Sequence, residues 1–93
     1  VTSDEVGDVE QLTVSTHVNG ELRQSAKIAD LIFDIPTLIH DLSAVTTLYP
    51  GDIIATGTPS GVGLGFDPPK FLQPGDLVSL KIDKLGTLQS PVV

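Results

Sequence analysis

The 93-residue chain contains no cysteine, methionine or tryptophan. Without cysteine it can form neither a disulfide nor a zinc–thiolate site. A chain of this length buries only about 60–65% of the surface that it exposes when unfolded, so its stability is marginal unless something else supports it. With disulfides excluded, the usual remaining supports are a metal ion and contact with further polypeptide.

Basic residues are also scarce, at five against twelve acidic residues, which gives a net charge of −7. The five lie far apart in the sequence, so the basic patch typical of a nucleic-acid-binding protein is missing. An acidic surface also repels anionic membranes, no apolar run is long enough to span a bilayer, and the acidic first residues do not resemble a signal peptide. We therefore expect a soluble, cytoplasmic protein with neither nucleic acid nor membrane as a partner.

The first half of the chain predicts a hairpin followed by a helix. Residues 1–10 are acidic and predict an exposed entry segment, and residues 11–24 alternate apolar and polar side chains around Asn19-Gly20, a strong hairpin-turn signal. Further on, Asp34 can cap a helix that has Pro36 in its first turn. Apolar residues then recur at helical spacing up to Val45, so we expect one amphipathic helix ending near residues 46–47.

The second half repeats one turn motif, Leu-x-Pro-Gly-Asp followed by two apolar residues, at Leu48–Ile54 and again at Leu72–Val78. Pro-Gly at the centre of a turn specifies type II, because proline sets the first φ angle and glycine supplies the positive one. Each turn is expected to lead into a strand, at residues 53–55 and 77–82. With a last strand at 87–92, the prediction is an α+β, β-rich fold of about five strands and one helix.

The longest predicted loop runs from Gly57 to Phe71 and is rich in glycine near its start. Glycines let backbone N–H groups converge on an anion, and the hydroxyl groups of Thr56, Thr58 and Ser60 can add hydrogen bonds to it. The pattern has neither the lysine of a phosphate-binding P-loop nor the spacing of a dinucleotide fingerprint. An anion site and a flexible glycine loop are equally compatible with the composition.

Several blocks of the sequence together resemble the fumarylacetoacetate hydrolase family. They match in order and spacing over nearly the whole chain: Val18–Gln24, Ile32–Pro36, Gly51–Gly63, Phe71–Asp76 and Leu85–Leu88. The resemblance is strongest to the subgroup that holds acylpyruvate hydrolases, oxaloacetate decarboxylases and 2-hydroxyhepta-2,4-diene-1,7-dioate isomerases.

This resemblance implies that residues 1–93 are the C-terminal portion, a fragment, of a catalytic domain built as a mixed β-sandwich or pseudo-barrel. Enzymes of the family bind Mg²⁺ or Mn²⁺, which stabilises the enolate of a short 2-oxo acid. The implied reactions are C–C bond hydrolysis, decarboxylation or isomerisation in the breakdown of aromatic or carboxylic acids. The implied partners are the small 2-oxo acid and either a second copy, as a homodimer, or the missing N-terminal part.

The resemblance also assigns roles to four residues. Thr58 matches the threonine that contacts the substrate carboxylate, Gly57 and Thr56 shape the same loop, and Gln24 lies near the pocket. The catalytic groups and the metal ligands, a Glu-x-Glu pair and an aspartate, are expected upstream, because no Glu-x-Glu occurs here. Asp8 and Glu10, predicted on one strand face, are a weaker alternative for metal binding.

Two other functions fit parts of the sequence. A non-catalytic binding or assembly module, or an inactive fragment, is compatible with the lack of a recognisable nucleophile, base or metal triad. A nucleotide-binding loop is a minor alternative. His17 and His40 have no carboxylate or cysteine at ligand spacing, so both are expected to be ordinary surface histidines.

Overall fold

The computed structural model describes all residues, 1–93, and its strands form one antiparallel sheet in the order β2-β1-β3-β4. The strands are β1 (Thr13–Val18), β2 (Glu21–Lys27), β3 (Leu77–Ile82) and β4 (Gly86–Pro91), and the helices are α1 (Ser3–Val6) and α2 (Ile35–Val45). Short 3₁₀ turns lie at Val9–Gln11, Ile28–Asp30 and Gly63–Gly65. The predicted α+β, β-rich fold is confirmed. None of the helices is long and apolar enough to cross a membrane.

The β1–β2 hairpin turns at the predicted residues. Asn19 and Gly20 both have positive φ angles, 51° and 80°, as a two-residue hairpin turn with right-handed strand twist requires. The pairing continues to Thr13 opposite Lys27, so β2 extends beyond the predicted residue 24, with one irregularity between Thr16 and His17. Strand β3 pairs with the other edge of β1, which places β1 in the interior of the sheet.

Helix α2 begins as its sequence predicts. A side-chain oxygen of Asp34 accepts a hydrogen bond from the backbone N–H of Thr37 at 2.9 Å, which satisfies one of the free donors of the first turn. Hydrogen bonding with Thr37, first with its side chain and then with its backbone N–H, holds the pKa of Asp34 below its ordinary value. The helix ends at Val45 with Thr46 as its C-cap, and the predicted amphipathic helix is confirmed.

The entry segment differs from the prediction. Residues 3–6 form helix α1, and Val6 is one of only three buried residues, with Leu12 and Val18, at 8%, 4% and 7% exposure. The ammonium group of Lys84 donates a hydrogen bond to the Val6 carbonyl at 2.9 Å, which ties this segment to the β3–β4 turn. The prediction of an exposed entry segment was wrong at Val6, because the acidic composition of the segment gave no sign that this one apolar side chain is buried.

The sheet has four strands instead of about five. The turn before β3 leads into a strand as predicted, but residues 53–55 form none, and Ile53 is 96% exposed. A strand needs a neighbour to accept and donate its backbone hydrogen bonds, and no backbone of these 93 residues lies in place to do so. The prediction of a strand at 53–55 was therefore wrong for this chain.

Much apolar surface remains uncovered. The accessible surface is 7,025 Å², whereas a folded monomer of this mass exposes about 5,200 Å². The radius of gyration is 15.5 Å, against about 12 Å expected for this length. Along α2, Ile39 is 46% and Val45 83% exposed, so the apolar stripe of the helix is only partly covered.

Candidate functional site

The segment after the first Pro-Gly-Asp turn is extended and open. Asp52 closes that turn, because its carboxylate accepts a hydrogen bond from the Tyr49 backbone N–H at 2.8 Å. From Ile53 to Gly61, no backbone N–H donates to another backbone group. Thr56, Gly57 and Thr58 lie in this stretch and are exposed, so the segment presents free donors to whatever binds there.

Gln24 connects the open segment to the sheet. It lies on β2 opposite Thr16 and is half-buried. Its Nε2 donates to the Thr58 hydroxyl oxygen at 2.7 Å and to the Pro59 carbonyl oxygen at 2.9 Å. Two residues that are far apart in sequence, both predicted to belong to the site, are thus in direct contact.

Glycine at position 61 lets the loop lie directly on β2. A Cβ atom at Gly61 would overlap the carbonyl oxygen of Arg23 and would lie 2.9 Å from Cγ of Gln24. Its φ of 111° is also one that residues with side chains rarely adopt. The loop also closes on itself, because the Lys70 N–H donates to the Gly63 carbonyl at 2.8 Å. This part of the loop is fixed by close packing, so it is neither a flexible linker nor a free anion cradle.

A cluster of charged side chains and one aromatic ring supports the far end of the loop. The Glu21 carboxylate lies 3.1 Å from Nζ of Lys70 and 3.0 Å from Nε of Arg23. The hydrogen bond from Lys70 is the main reason that the pKa of Glu21 is lowered. Both cations also lie over the Phe66 ring, at 4.8 Å and 5.2 Å from its centre, a favourable contact with the negative face of the ring.

An open cavity of about 390 Å³ lies between this loop and the sheet. Arg23, Gln24 and Lys70 line it together with apolar side chains of β1, β3 and the loop, but Thr58 does not. Its two cations are already engaged by Glu21 and Phe66. The cavity therefore adjoins the Gln24–Thr58 contact through Gln24, while Thr58 itself does not line it.

The predicted site residues divide into two groups. Thr58 and Gln24 come together, whereas Thr56 and Gly57 stay in the exposed segment, and the Thr56 hydroxyl forms no hydrogen bond within the chain. Sequence reasoning missed Arg23 and Lys70. The only sequence feature that points to these two cations is the opposite charge of Glu21. Glu21 and Lys70 are 49 positions apart in the sequence, so their contact could not be predicted from it.

No group of three or more histidine, cysteine, aspartate or glutamate side chains lies close enough to hold a metal ion. Asp8 caps the 3₁₀ turn and accepts a hydrogen bond from the Glu10 N–H, so the two do not lie on one strand face as predicted. His17 lies within β1, and Nδ1 of the exposed His40 ring on α2 lies 3.1 Å from a carboxylate oxygen of the neighbouring Asp41. The chain alone does not provide a complete metal site.

Comparison with known families agrees with the blocks identified in the sequence. Residues 1–93 match the family model described as fumarylacetoacetate (FAA) hydrolase C-terminal. The chain belongs to the fumarylacetoacetate hydrolase family.

Relatives within the fumarylacetoacetate hydrolase family include proteins with different reactions. Oxaloacetate tautomerase YisK of Bacillus subtilis is 58% identical over 87 residues, which make up 94% of this chain and 29% of that protein. The fumarylacetoacetate hydrolase of Exiguobacterium antarcticum superposes with a TM-score of 0.92 at 46% identity, over 99% of this chain and 33% of its own. Maleylpyruvate hydrolase from Sphingobium sp. SYK-6, in complex with manganese(II) and pyruvate, gives a TM-score of 0.87 at 46% identity, over 100% of this chain and 33% of its own.

The chain therefore spans about a third of the length of these relatives. The family match includes the open segment and its contact on β2, since it covers the whole chain. The site described above is accordingly one part of a fumarylacetoacetate hydrolase-type domain.

Proposed function

We propose that residues 1–93 are the C-terminal portion of a divalent-metal-dependent enzyme that acts on short 2-oxo acids, and that the open segment supplies the contact for the substrate carboxylate. The reaction is hydrolysis of a C–C bond, decarboxylation or isomerisation. The reactions named for the relatives, tautomerisation of oxaloacetate and hydrolysis of maleylpyruvate, support isomerisation and hydrolysis within this range. The proposed setting is the breakdown of aromatic or carboxylic acids in the cytoplasm.

The observation that carries the proposal is the exposed Thr58 hydroxyl within a stretch of unpaired backbone N–H groups. A chain with a net charge of −7 repels an anionic substrate at long range. A carboxylate therefore needs local donors, and hydrogen bonds to a charged group are the stronger kind. Thr58, with Thr56 and Gly57 beside it, offers such donors in one short segment.

The Mg²⁺ or Mn²⁺ that this proposal requires does not fit the residues of this chain, which hold no cluster of ligands. The manganese in the maleylpyruvate hydrolase complex supports a divalent metal within the family. We place its ligands, and the groups that move protons, in polypeptide beyond these 93 residues. The role left for this chain is to bind and orient the carboxylate.

The same additional polypeptide is the proposed partner of the uncovered surface. The excess of about 1,800 Å² over a folded monomer of this mass is about twice the roughly 800 Å² that each partner buries in a stable protein interface of standard size. The exposed Ile53 and the stripe of α2 belong to it, and the unpaired backbone of residues 53–55 is suited to pairing with a strand. Since the chain spans a third of its relatives, the rest of such a protein is a sufficient source, and a homodimer is the alternative.

The test is turnover of oxaloacetate and of an acylpyruvate by the complete protein with Mg²⁺ or Mn²⁺, before and after Thr58→Val. Loss of one hydrogen bond to a charged group costs about 1.5–3 kcal/mol, which corresponds to at least about a tenfold increase in KM. Thr87→Val, at an exposed threonine of β4, is the matched control and should leave KM unchanged.

Two results would contradict the proposal. If Thr58→Val left both KM and kcat unchanged in an active enzyme, the carboxylate contact would be elsewhere. If the complete protein turned over no oxo acid and bound no pyruvate with either metal, a non-catalytic assembly module would be the better description. Native mass spectrometry of the complete protein distinguishes a homodimer from a monomer that covers its own apolar surface.

A further inference from the structure

We infer that Gln24 is a positioning residue: it holds the Thr58 hydroxyl as an acceptor, so that the hydroxyl proton is free to be donated to the substrate carboxylate. The inference rests on the proposed role of Thr58 and changes the predicted role of Gln24. The family resemblance implied only that Gln24 lies near the pocket, and in the structure its amide nitrogen bonds to the Thr58 hydroxyl.

The Pro59 carbonyl fixes the orientation of the Gln24 amide. A carbonyl oxygen can only accept a hydrogen bond, so the amide atom 2.9 Å from it must be the NH₂ nitrogen, not the oxygen. The same nitrogen lies 2.7 Å from the Thr58 hydroxyl oxygen. It has no lone pair to accept with, so Thr58 is the acceptor in this bond and its own proton must point elsewhere.

The amide of Gln24 has no donor left for a ligand. Its NH₂ group carries two protons, and the two contacts to Thr58 and Pro59 use both. Only the amide oxygen remains, and an oxygen acceptor repels a carboxylate. Direct binding of the anion by Gln24 is therefore disfavoured. The remaining way for Gln24 to affect binding is through its hydrogen bond to Thr58.

The strand that carries Gln24 holds the Gln24–Thr58 contact in a fixed position. Gln24 lies on a paired strand opposite Thr16, and Gly61 packs on the backbone of Arg23 immediately beside it. The open segment has no backbone pairing of its own, so these two contacts with β2 are what fixes Thr58. A donor held in place before the ligand arrives binds more tightly, because less ordering is needed on binding.

The experiment is a double-mutant cycle in the complete enzyme, with Gln24→Met, Thr58→Val and the pair. Methionine keeps the length and shape of glutamine but removes both donors. The readouts are KM and kcat for oxaloacetate and the affinity for pyruvate with Mn²⁺. Gln24→Asn, which keeps the amide but shortens its reach, is a second variant, and circular dichroism checks that each protein is folded.

Gln89→Met is the matched control. Gln89 also donates from Nε2 to a hydroxyl, that of Ser79 at 3.1 Å, but at the opposite edge of the same sheet. It should change neither KM nor pyruvate affinity. A general effect of removing a glutamine–hydroxyl bond from the sheet would appear here too.

The expected result is a KM about fivefold higher for Gln24→Met and Gln24→Asn, as for the loss of one neutral hydrogen bond, with kcat changed less than about twofold. In the Thr58→Val background, Gln24→Met should have a much smaller effect than in the unaltered enzyme, because only its bond to the Pro59 carbonyl is then left to lose. Pyruvate affinity should fall in parallel with the rise in KM.

Three results would overturn the inference, each in a different way. Unchanged KM in both Gln24 variants, with a raised KM in Thr58→Val, would reject the positioning role but retain the proposed function of Thr58. Additive effects of the two substitutions would mean that Gln24 acts independently of Thr58. No effect of Thr58→Val in an active enzyme would reject the role of Thr58 and, with it, that of Gln24.

Discussion

The two Pro-Gly-Asp turns have nearly the same local structure and different continuations. In each, the aspartate carboxylate accepts a hydrogen bond at 2.8 Å from the N–H three residues earlier, Tyr49 for Asp52 and Gln73 for Asp76. The reverse backbone bonds are 3.1 Å and 3.0 Å long, and the glycines have φ angles of 94° and 95°. Yet the second turn leads into β3, and the first leads into an open segment.

The difference lies in what stands beside each turn. Asn19 joins the second turn to the β1–β2 hairpin: its side chain donates to Asp76 at 2.8 Å and accepts from the Leu77 N–H at 2.9 Å. The first turn has no such neighbour, and the residue after Asp52 is almost fully exposed. The comparison teaches that local sequence determines a turn, whereas a strand depends on a partner that local sequence does not specify.

The largest expected changes in the free energy of unfolding come from proline substitutions in the two segments that follow the turns, β3 and the open segment. Leu80→Pro removes a backbone donor from a strand paired on both sides, so it should lower the free energy of unfolding of the complete protein by on the order of 3 kcal/mol. Ile54→Pro should cost a similar amount there, because the proposed contact with further polypeptide supplies the missing partner strand. Urea unfolding followed by circular dichroism measures both.

Ile54→Val, which keeps the N–H and most of the apolar volume, is the control and should cost less than about 1.5 kcal/mol. An unfolding midpoint that fell with Leu80→Pro but not with Ile54→Pro would contradict the proposed pairing. The open segment would then be a loop in the complete protein as well.

A smaller effect is expected from the link that only the second turn has. Asn19→Gly keeps a residue that tolerates the positive φ and removes the side-chain bonds to Asp76 and Leu77. The free energy of unfolding should fall by about 2 kcal/mol, because two hydrogen bonds with a usual net value of about 1 kcal/mol each are lost. An unchanged urea midpoint would mean that β3 is held by its strand partners alone.

The smallest expected effect is a change in acid sensitivity. The pKa of Asp76 lies below its ordinary value, chiefly because of the Gln73 N–H and then because of Asn19. A lowered pKa in the folded state stabilises the fold above the pKa of the unfolded chain, about 4, and this stabilisation is lost as the pH falls through the lower folded value.

Asp76→Asn should therefore make the loss of stability in acid less steep. The measurement is the urea midpoint between about pH 6 and about pH 3. An Asp76→Asn curve as steep as that of the unaltered protein would contradict this prediction.

Sequence reasoning succeeded where the causes are local. Asp34 and Pro36 determine where α2 begins, and Asn19-Gly20 determines the hairpin turn, because each acts within a few residues. The helix end near residue 46 was found for the same reason. The family resemblance placed the substrate contacts in the open segment, whose composition alone was ambiguous, and this assignment stays a prediction.

It failed where the cause is distant in sequence. The strand predicted at 53–55 required a partner strand, and the buried position of Val6 depends on packing that periodicity does not report. The contact of Gln24 with Thr58 joins residues 34 positions apart. The family resemblance implied that Gln24 and Thr58 lie near one pocket. The structure adds that the Gln24 amide donates a hydrogen bond to the Thr58 hydroxyl.

The close approach of Gly61 to β2 has a consequence for anyone who wishes to redesign this loop. Any side chain there would have to displace the Arg23 carbonyl, so a library that randomised position 61 would consist mostly of misassembled loops. The neighbouring Ser60, Val62 and Leu64 are exposed. Diversity in a directed-evolution experiment belongs at these three positions, with the glycine kept constant.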